Sequence, residues 1–133
     1  MKIVIVSPSH PSKICGISTY TDYLVWELEK LANVEIVGRS RQLGSFFSRL
    51  KYAINKCEVV HVQFAIGNFG YMGIGFIPLY GYLWLKRKII LTTVHEIPVI
   101  NHTTIKDYLA RKYLDFIYNL ILLLSDKLIV HNE

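Results

Sequence analysis

Cysteine is scarce in this chain: Cys15 and Cys57 stand alone among 133 residues, 42 positions apart. Two thiols do not make the framework of a small disulfide-built scaffold, and two free thiols in a reducing compartment is the reading adopted. No secretory leader is expected either. MKIVIV supplies about six strand-like residues before Ser7-Pro8, short of the apolar core that a signal peptide needs. Neither the dinucleotide fingerprint G-x-G-x-x-G nor the hydrolase elbow G-x-S-x-G occurs. His10, Cys15, Cys57 and His61 are soft ligands, but they lack the paired spacing of structural zinc sites, so no metal is expected. Acid is absent from residues 39–56, RSRQLGSFFSRLKYAINK, and residues 64–85 carry no charge of either sign.

What is present is apolar for a soluble domain. Hydrophobic residues make up 52% and aromatics 13%, with a mean hydropathy of +0.32, which excludes a disordered chain. The length suits one domain with a real core. A net charge of +5 favours something anionic as partner: a phosphate-bearing ligand, an acidic membrane face or nucleic acid. No RNA- or DNA-binding motif accompanies the charge, and the aromatics follow core periodicity, so nucleic acid is set aside.

Residues 2–6 form a β-branched run closed by Ser-Pro, as in a buried parallel strand. Apolar positions Ile17, Tyr20, Leu24, Leu28 and Leu31 then fall at helical spacing, with Ser18 or Thr19 expected to cap the first turn. Residues 34–37 give a second strand. Phe46, Phe47, Leu50 and Ile54 mark a second helix, basic on its outer face. Strands follow at 59–62, 89–94 and 127–130, and a long amphipathic helix at 104–124. Alternating strands and helices with right-handed crossovers predict an α/β fold, a Rossmann-like three-layer domain with a mostly parallel sheet.

The uncharged stretch 64–85 is formally long enough to cross a bilayer, and Lys86-Arg87-Lys88 follows it. Its glycines and Pro78 would interrupt a helix, and a crossing would separate strands that must pair in one sheet. A loop followed by a buried or membrane-skimming helix is the preferred reading, with a true span as the alternative. The basic stretch 39–56 and the helix 104–124, where Lys106, Arg111 and Lys112 lie among tyrosines, make an anionic membrane surface a candidate partner. Plain core packing is the competing reading of the helix.

Open α/β sheets bind ligands beyond the carboxyl ends of their strands. Gly16, Ile17 and Ser18 open the helix after the first strand, where a missing Cβ and free N–H groups suit a phosphate. A glycine needed only for loop geometry is the plainer alternative. His95 and Glu96 follow the fourth strand at that edge; the histidine is placed to hydrogen-bond a ligand there, and the glutamate to orient it. His61 and Gln63 share one face of the third strand. Gln63, at the strand end, is read as lining a ligand pocket, and His61 as a hydrogen-bonded core residue.

Four segments, MKIVIVSP…CGISTYTDYLVWELEK, VVHVQFAIGNFG, ILTTVHE and SDKLIVHNE, resemble in this order the amino-terminal half of GT-B glycosyltransferases of the family-4 type. There the third strand ends in VVH-H/Q, the fourth in T-HD/E and the fifth in VHS/N-E. The resemblance implies transfer of a sugar from a nucleotide-sugar donor to a hydroxyl of a glycan or lipid-linked acceptor, with retention and without metal or other cofactor. It places Gly16 near the donor phosphates or the acceptor, and His95 against the transferred sugar. Many relatives carry two adjacent glycines where this chain has Cys15-Gly16. The resemblance also implies that residues 1–133 are part of an acceptor-side domain, cytoplasmic or peripheral on the inner membrane face. The nucleotide-sugar domain, with the family's glutamate pair, would be supplied by further chain or a separate subunit. Alone, the chain is expected to show no transferase activity. The alternatives are a non-catalytic Rossmann-like partner module and a small membrane-embedded protein.

Overall fold

The computed structural model describes residues 1–8, 10–11, 15–38, 43–69, 73–96 and 104–130. Strands β1 (Lys2–Ser7), β2 (Asn33–Gly38), β3 (Val59–Phe64), β4 (Ile89–Val94) and β5 (Lys127–Val130) alternate with helices α1 (Gly16–Leu28), α2 (Leu43–Asn55), α3 (Phe76–Leu85) and α4 (Ile105–Leu124). The five strands form one sheet in the order β2-β1-β3-β4-β5, and every pairing is parallel. The α/β, three-layer Rossmann-like expectation is met, with a sheet parallel throughout.

This strand order reverses direction between β1 and β3. Right-handed crossovers then put α1 on one face of the sheet and α2, α3 and α4 on the other. The packing agrees. Ile3, Ile5 and Val59 meet Leu24, Val25 and Leu28 of α1, whereas Val4, Val6, Val60 and Val62 meet Leu50 and Ile54 of α2, Leu79 and Leu83 of α3, and Ile117 and Ile121 of α4. Neighbouring residues of each strand thus serve different layers, because side chains alternate along a strand. The buried hydroxyls on the three-helix side are paired. Tyr80 Oη lies 2.6 Å from Thr92 Oγ1, which lies 2.7 Å from Ser125 Oγ.

Several local expectations change. α1 is entered through Cys15, which makes no side-chain cap bond; Ser18 and Thr19 lie inside the helix and do not cap it. α1 ends at Leu28, so Leu31 falls in the following turn and is exposed. Phe47 also points outward, while Leu50, Ala53 and Ile54 bury the inner face of α2. In α4 the buried residues are Leu114, Ile117 and Ile121, and Ile105, Leu109 and Phe116 are exposed. That helix starts at a capping box, in which Thr104 and Asp107 satisfy each other's backbone N–H groups.

The uncharged stretch folds as a 3-10 turn at Ile66–Phe69 followed by the ten-residue α3, which buries Phe76, Leu79, Tyr80 and Leu83. Ten helical residues extend about 15 Å, half the thickness of a bilayer's hydrocarbon layer. Among the described residues, no helix is long and apolar enough to cross a membrane. α3 is too short for the spanning alternative, and the strands on either side of the stretch, β3 and β4, pair in one sheet.

Candidate functional site

At the carboxyl edge of the sheet, β1, β3 and β4 turn a band of polar side chains toward α1. Ser7, Ser18, Thr21, His61, Gln63 and Thr93 are all buried. Burial of so many hydrogen-bonding groups is tolerable only if they satisfy one another. They do: among the described residues no buried side-chain nitrogen or oxygen lacks a partner. Ser7 Oγ lies 3.1 Å from Thr21 Oγ1, which donates to the Ile17 carbonyl at 2.7 Å. The inner surface of α1's first half is therefore polar where helical spacing pointed to Ile17 and Tyr20.

A second chain of bonds runs outward from the core. Thr93 Oγ1 lies 2.7 Å from His61 Nε2, Gln63 Nε2 lies 3.4 Å from the same nitrogen, and Gln63 Oε1 lies 2.5 Å from His95 Nε2. An amide nitrogen only donates and an amide oxygen only accepts. His61 Nε2 therefore accepts, which puts the proton of the neutral ring on Nδ1, and His95 donates through Nε2–H. Burial, and secondarily the neighbouring His95, pushes the His61 pKa down to about 4. At neutral pH His61 is uncharged and acts as an acceptor beneath Gln63.

His95 sits at the rim, half-buried, just beyond β4. Its backbone N–H donates to the Phe64 carbonyl at 3.0 Å, extending the β3–β4 ladder by one rung. The edge of its ring meets Tyr20 of α1, with centroids 5.1 Å apart and planes at 77°. The imidazole is thus fixed from below by Gln63 and from the side by Tyr20. Gly16 and Ile17 open the same helix, with Gly16 exposed and Ser18 facing inward. A Cβ placed on Gly16 would meet nothing within 4 Å. Among the described residues, packing does not require glycine there.

Glu96 parts company with its neighbour. Its side chain is exposed, and its backbone carbonyl accepts from Tyr118 Oη of α4 at 2.7 Å, on the three-helix side. Desolvation, then the nearby Glu96 charge, pushes the Tyr118 pKa up to about 12, so the phenol remains a donor. Gln63, read from sequence as a pocket-lining residue, is wholly buried and reaches the rim only through His95. Tyr20 and Thr93 belong to the arrangement and escaped the sequence reading. Thr93 carried a usable signal, since it shares the alternating face of β4 that leads to His95.

The soft ligands do not converge. Cys57 is buried on the three-helix side, where Sγ donates to the Ile54 carbonyl at 3.4 Å, whereas His61 faces α1. His10 is held by Asp22, with Nε2 2.9 Å from Oδ1. Its carbonyl passes so close to the end of β2 that a Cβ on Gly38 would come within 2.2 Å of it. Among the described residues no group of three His, Cys, Asp or Glu side chains is arranged to hold a metal ion. The site offers one oriented imidazole at its rim, an exposed helix start and the open edge of a sheet at its switch point. Such a set can bind an anionic or polyhydroxylated ligand and place a hydrogen bond on it. Comparison with protein-family models, with curated proteins and with solved structures found no match to this chain.

Proposed function

We propose that this chain is the acceptor-side half of a GT-B glycosyltransferase of the family-4 type, one wall of a cleft that a nucleotide-sugar domain completes. The observation that carries the reading is His95, held at the carboxyl edge of β4 by Gln63 and Tyr20, on the side of the sheet covered by α1. In the completed cleft His95 bonds a hydroxyl of the transferred sugar or the departing phosphate, and Gly16, Ile17 and Ser18 present the helix start to the diphosphate or the acceptor. Glu96, whose carbonyl is held by Tyr118 on the other side of the sheet, is not assigned the orienting role, which falls to Gln63. Gln63 acts on the ligand through His95, as a positioning residue. Catalysis of this kind rests on electrostatic support of the leaving diphosphate and on placement of the acceptor, which one wall cannot supply alone. The chain by itself is therefore inactive.

A second reading, a non-catalytic Rossmann-like module completed by another polypeptide, draws on β5. All four of its residues are exposed, including Leu128, Ile129 and Val130, and such an edge invites cover. Titration of the ¹⁵N-labelled chain with nucleoside diphosphates and with oligosaccharides separates the two. The transferase reading expects shifts at Gly16, Ile17, Ser18 and the His95 imidazole, abolished in His95→Ala for the sugar arm. No shift with either ligand, or shifts confined to β5, would leave only the module.

A further inference from the structure

At the amino edge of the sheet, away from the rim that holds His95, the ends of α3 and α4 and the starts of β4 and β5 border an open cavity of about 390 Å³. Small-ligand pockets typically measure about 300–1,000 Å³. The walls of this one are mixed. Trp84 and Leu123, 65% and 79% exposed, are apolar, whereas Arg87, Lys88, Ser125 and Asp126 are polar. None of these residues belongs to the candidate site at the carboxyl edge.

Three of the polar groups keep unused bonding capacity. Tyr80 is completely buried, and burial pushes its pKa up, so the phenol stays protonated and must donate. Its partner is Thr92 Oγ1 at 2.6 Å, and Thr92 in turn lies 2.7 Å from Ser125 Oγ. Each hydroxyl has one proton to give. With Tyr80 donating to Thr92 and Thr92 to Ser125, the Ser125 proton is left for the cavity. Asp126 Oδ2 accepts from the Ile90 N–H at 2.7 Å, and the Asp126 N–H donates to the Ile90 carbonyl at 2.8 Å. This ring fixes the carboxylate, while Oδ1 takes no bond among the described residues. The Arg87 guanidinium likewise has no partner among the described residues. Lys88 is already engaged: Nζ donates to the Cys57 carbonyl at 2.6 Å, and its charge reaches Glu58.

Arg87 also has φ of 50°, in the left-handed region where glycine is the low-cost residue. A conformational penalty borne by an unpaired cation at a cavity wall points to a ligand rather than to packing. We propose that this cavity binds a small zwitterion of the amino-acid class. The ligand's carboxylate pairs with the Arg87 guanidinium and accepts from Ser125, and its ammonium donates to Asp126 Oδ1. An aromatic or large aliphatic side chain lies against Trp84 and Leu123. Charge selects the class. Asp126 repels a multiply charged anion such as a nucleotide phosphate, and Arg87 repels a simple amine. A ligand with one charge of each sign satisfies both walls. The cavity lies at the opposite end of β4 from His95, so this inference does not rest on the transferase reading.

Titration of the ¹⁵N-labelled chain with L-phenylalanine, and with two analogues that each lack one charge, phenethylamine and phenylpropionate, tests it. L-Phenylalanine should shift the Trp84 indole and the backbone signals of Arg87, Ser125 and Asp126, and each analogue should bind roughly tenfold more weakly. Arg87→Gly relieves the left-handed backbone, so thermal stability should hold or rise. In that variant L-phenylalanine binding should fall roughly tenfold while phenethylamine binding stays as it was. Asp126→Asn keeps an acceptor for the Ile90 N–H; it should weaken L-phenylalanine and spare phenylpropionate. No shift at these residues with L-phenylalanine in the millimolar range would overturn the proposal. So would equal binding of all three compounds, unchanged binding in Arg87→Gly, or tighter binding of adenosine monophosphate at the same residues.

Discussion

Near the carboxyl edge, the two faces of the sheet hold different chemistry at the same level. Toward α1 stand Ser7, bonded to Thr21, and a separate chain of side-chain hydrogen bonds through Thr93, His61 and Gln63. Toward α2, α3 and α4 stands an aromatic cluster: Phe64 packs with Phe69, Phe76 and Tyr118 at centroid distances of 5.6, 5.5 and 5.9 Å. Gln63 and Phe64 are consecutive residues, and both are completely buried. One step along a strand separates a group that orients a rim histidine from a group that only excludes water. The comparison teaches that burial alone does not identify the structural side. What differs is whether the buried group passes its orientation to something at the surface.

The sharpest way to break this contrast is Phe64→Ala. It removes the ring at the centre of the cluster and should cost about 3–5 kcal/mol in urea unfolding, leaving the His95 imidazole resonances of the remaining folded protein near their original positions. A loss under about 1 kcal/mol would mean that the aromatic side is not the stabilising one.

Next in size is the pH response of the polar side. The folded pKa of His61 is lowered, from the ordinary 6.5 to about 4. Between these values the unfolded chain binds a proton that the folded chain refuses, so stability is full above about pH 6.5 and falls as pH drops toward 4. The difference amounts to roughly 3 kcal/mol. His61→Gln should flatten that part of the stability profile, and an unchanged slope would put the proton uptake elsewhere.

Gln63→Leu keeps the volume and removes both amide bonds, which should cost about 1–3 kcal/mol. Its telling readout is spectroscopic. In the native chain the ¹⁵N shifts of His95 should report a protonated Nε2, and Gln63→Leu should give a mixture of tautomers, whereas Gln63→Glu, which keeps an acceptor, should restore the native pattern. A native His95 tautomer in the leucine variant would reduce Gln63 to a packing residue.

The smallest expected effect is that of Gly16→Ala. An added Cβ meets nothing, and alanine is the better helix former, so stability should stay level or rise by about 0.5–1 kcal/mol. Loss of nucleoside diphosphate binding in this variant, at unimpaired stability, would assign Gly16 to the ligand. Unchanged binding would leave it a loop residue.

Much of the fold was legible because strands and helices announce themselves through period. VVHVQ alternates around a β-branched run, and α2 and α4 show a 3.6-residue repeat. The repeat does not say which stripe faces the sheet when a helix has two. α4 is such a helix: Leu114, Ile117 and Ile121 face the core, and Ile105, Leu109 and Phe116 face out. The capping of α1 was misread for a related reason: Ser18 and Thr19 have the right chemistry, but the chain enters the helix three residues earlier, at Cys15. In the candidate site, the placement of His95 past a strand and of Gly16 at a helix start could be read from the sequence. That Gln63 is sealed beneath His95, and that Tyr20 braces it, could not. Those contacts join residues 32 and 75 positions apart.

The sequence by itself determined which segments are strands and helices and, through the alternation of short β-branched runs with amphipathic stretches, that they build a parallel sheet with helices on both faces. Local sterics and hydrophobic period are enough for that. Only the tertiary structure decided that three helices share one face and that a threonine, a histidine and a glutamine line up behind His95. These depend on strand order and register, and both are set by the packing of residues far apart in the chain, which no local pattern records.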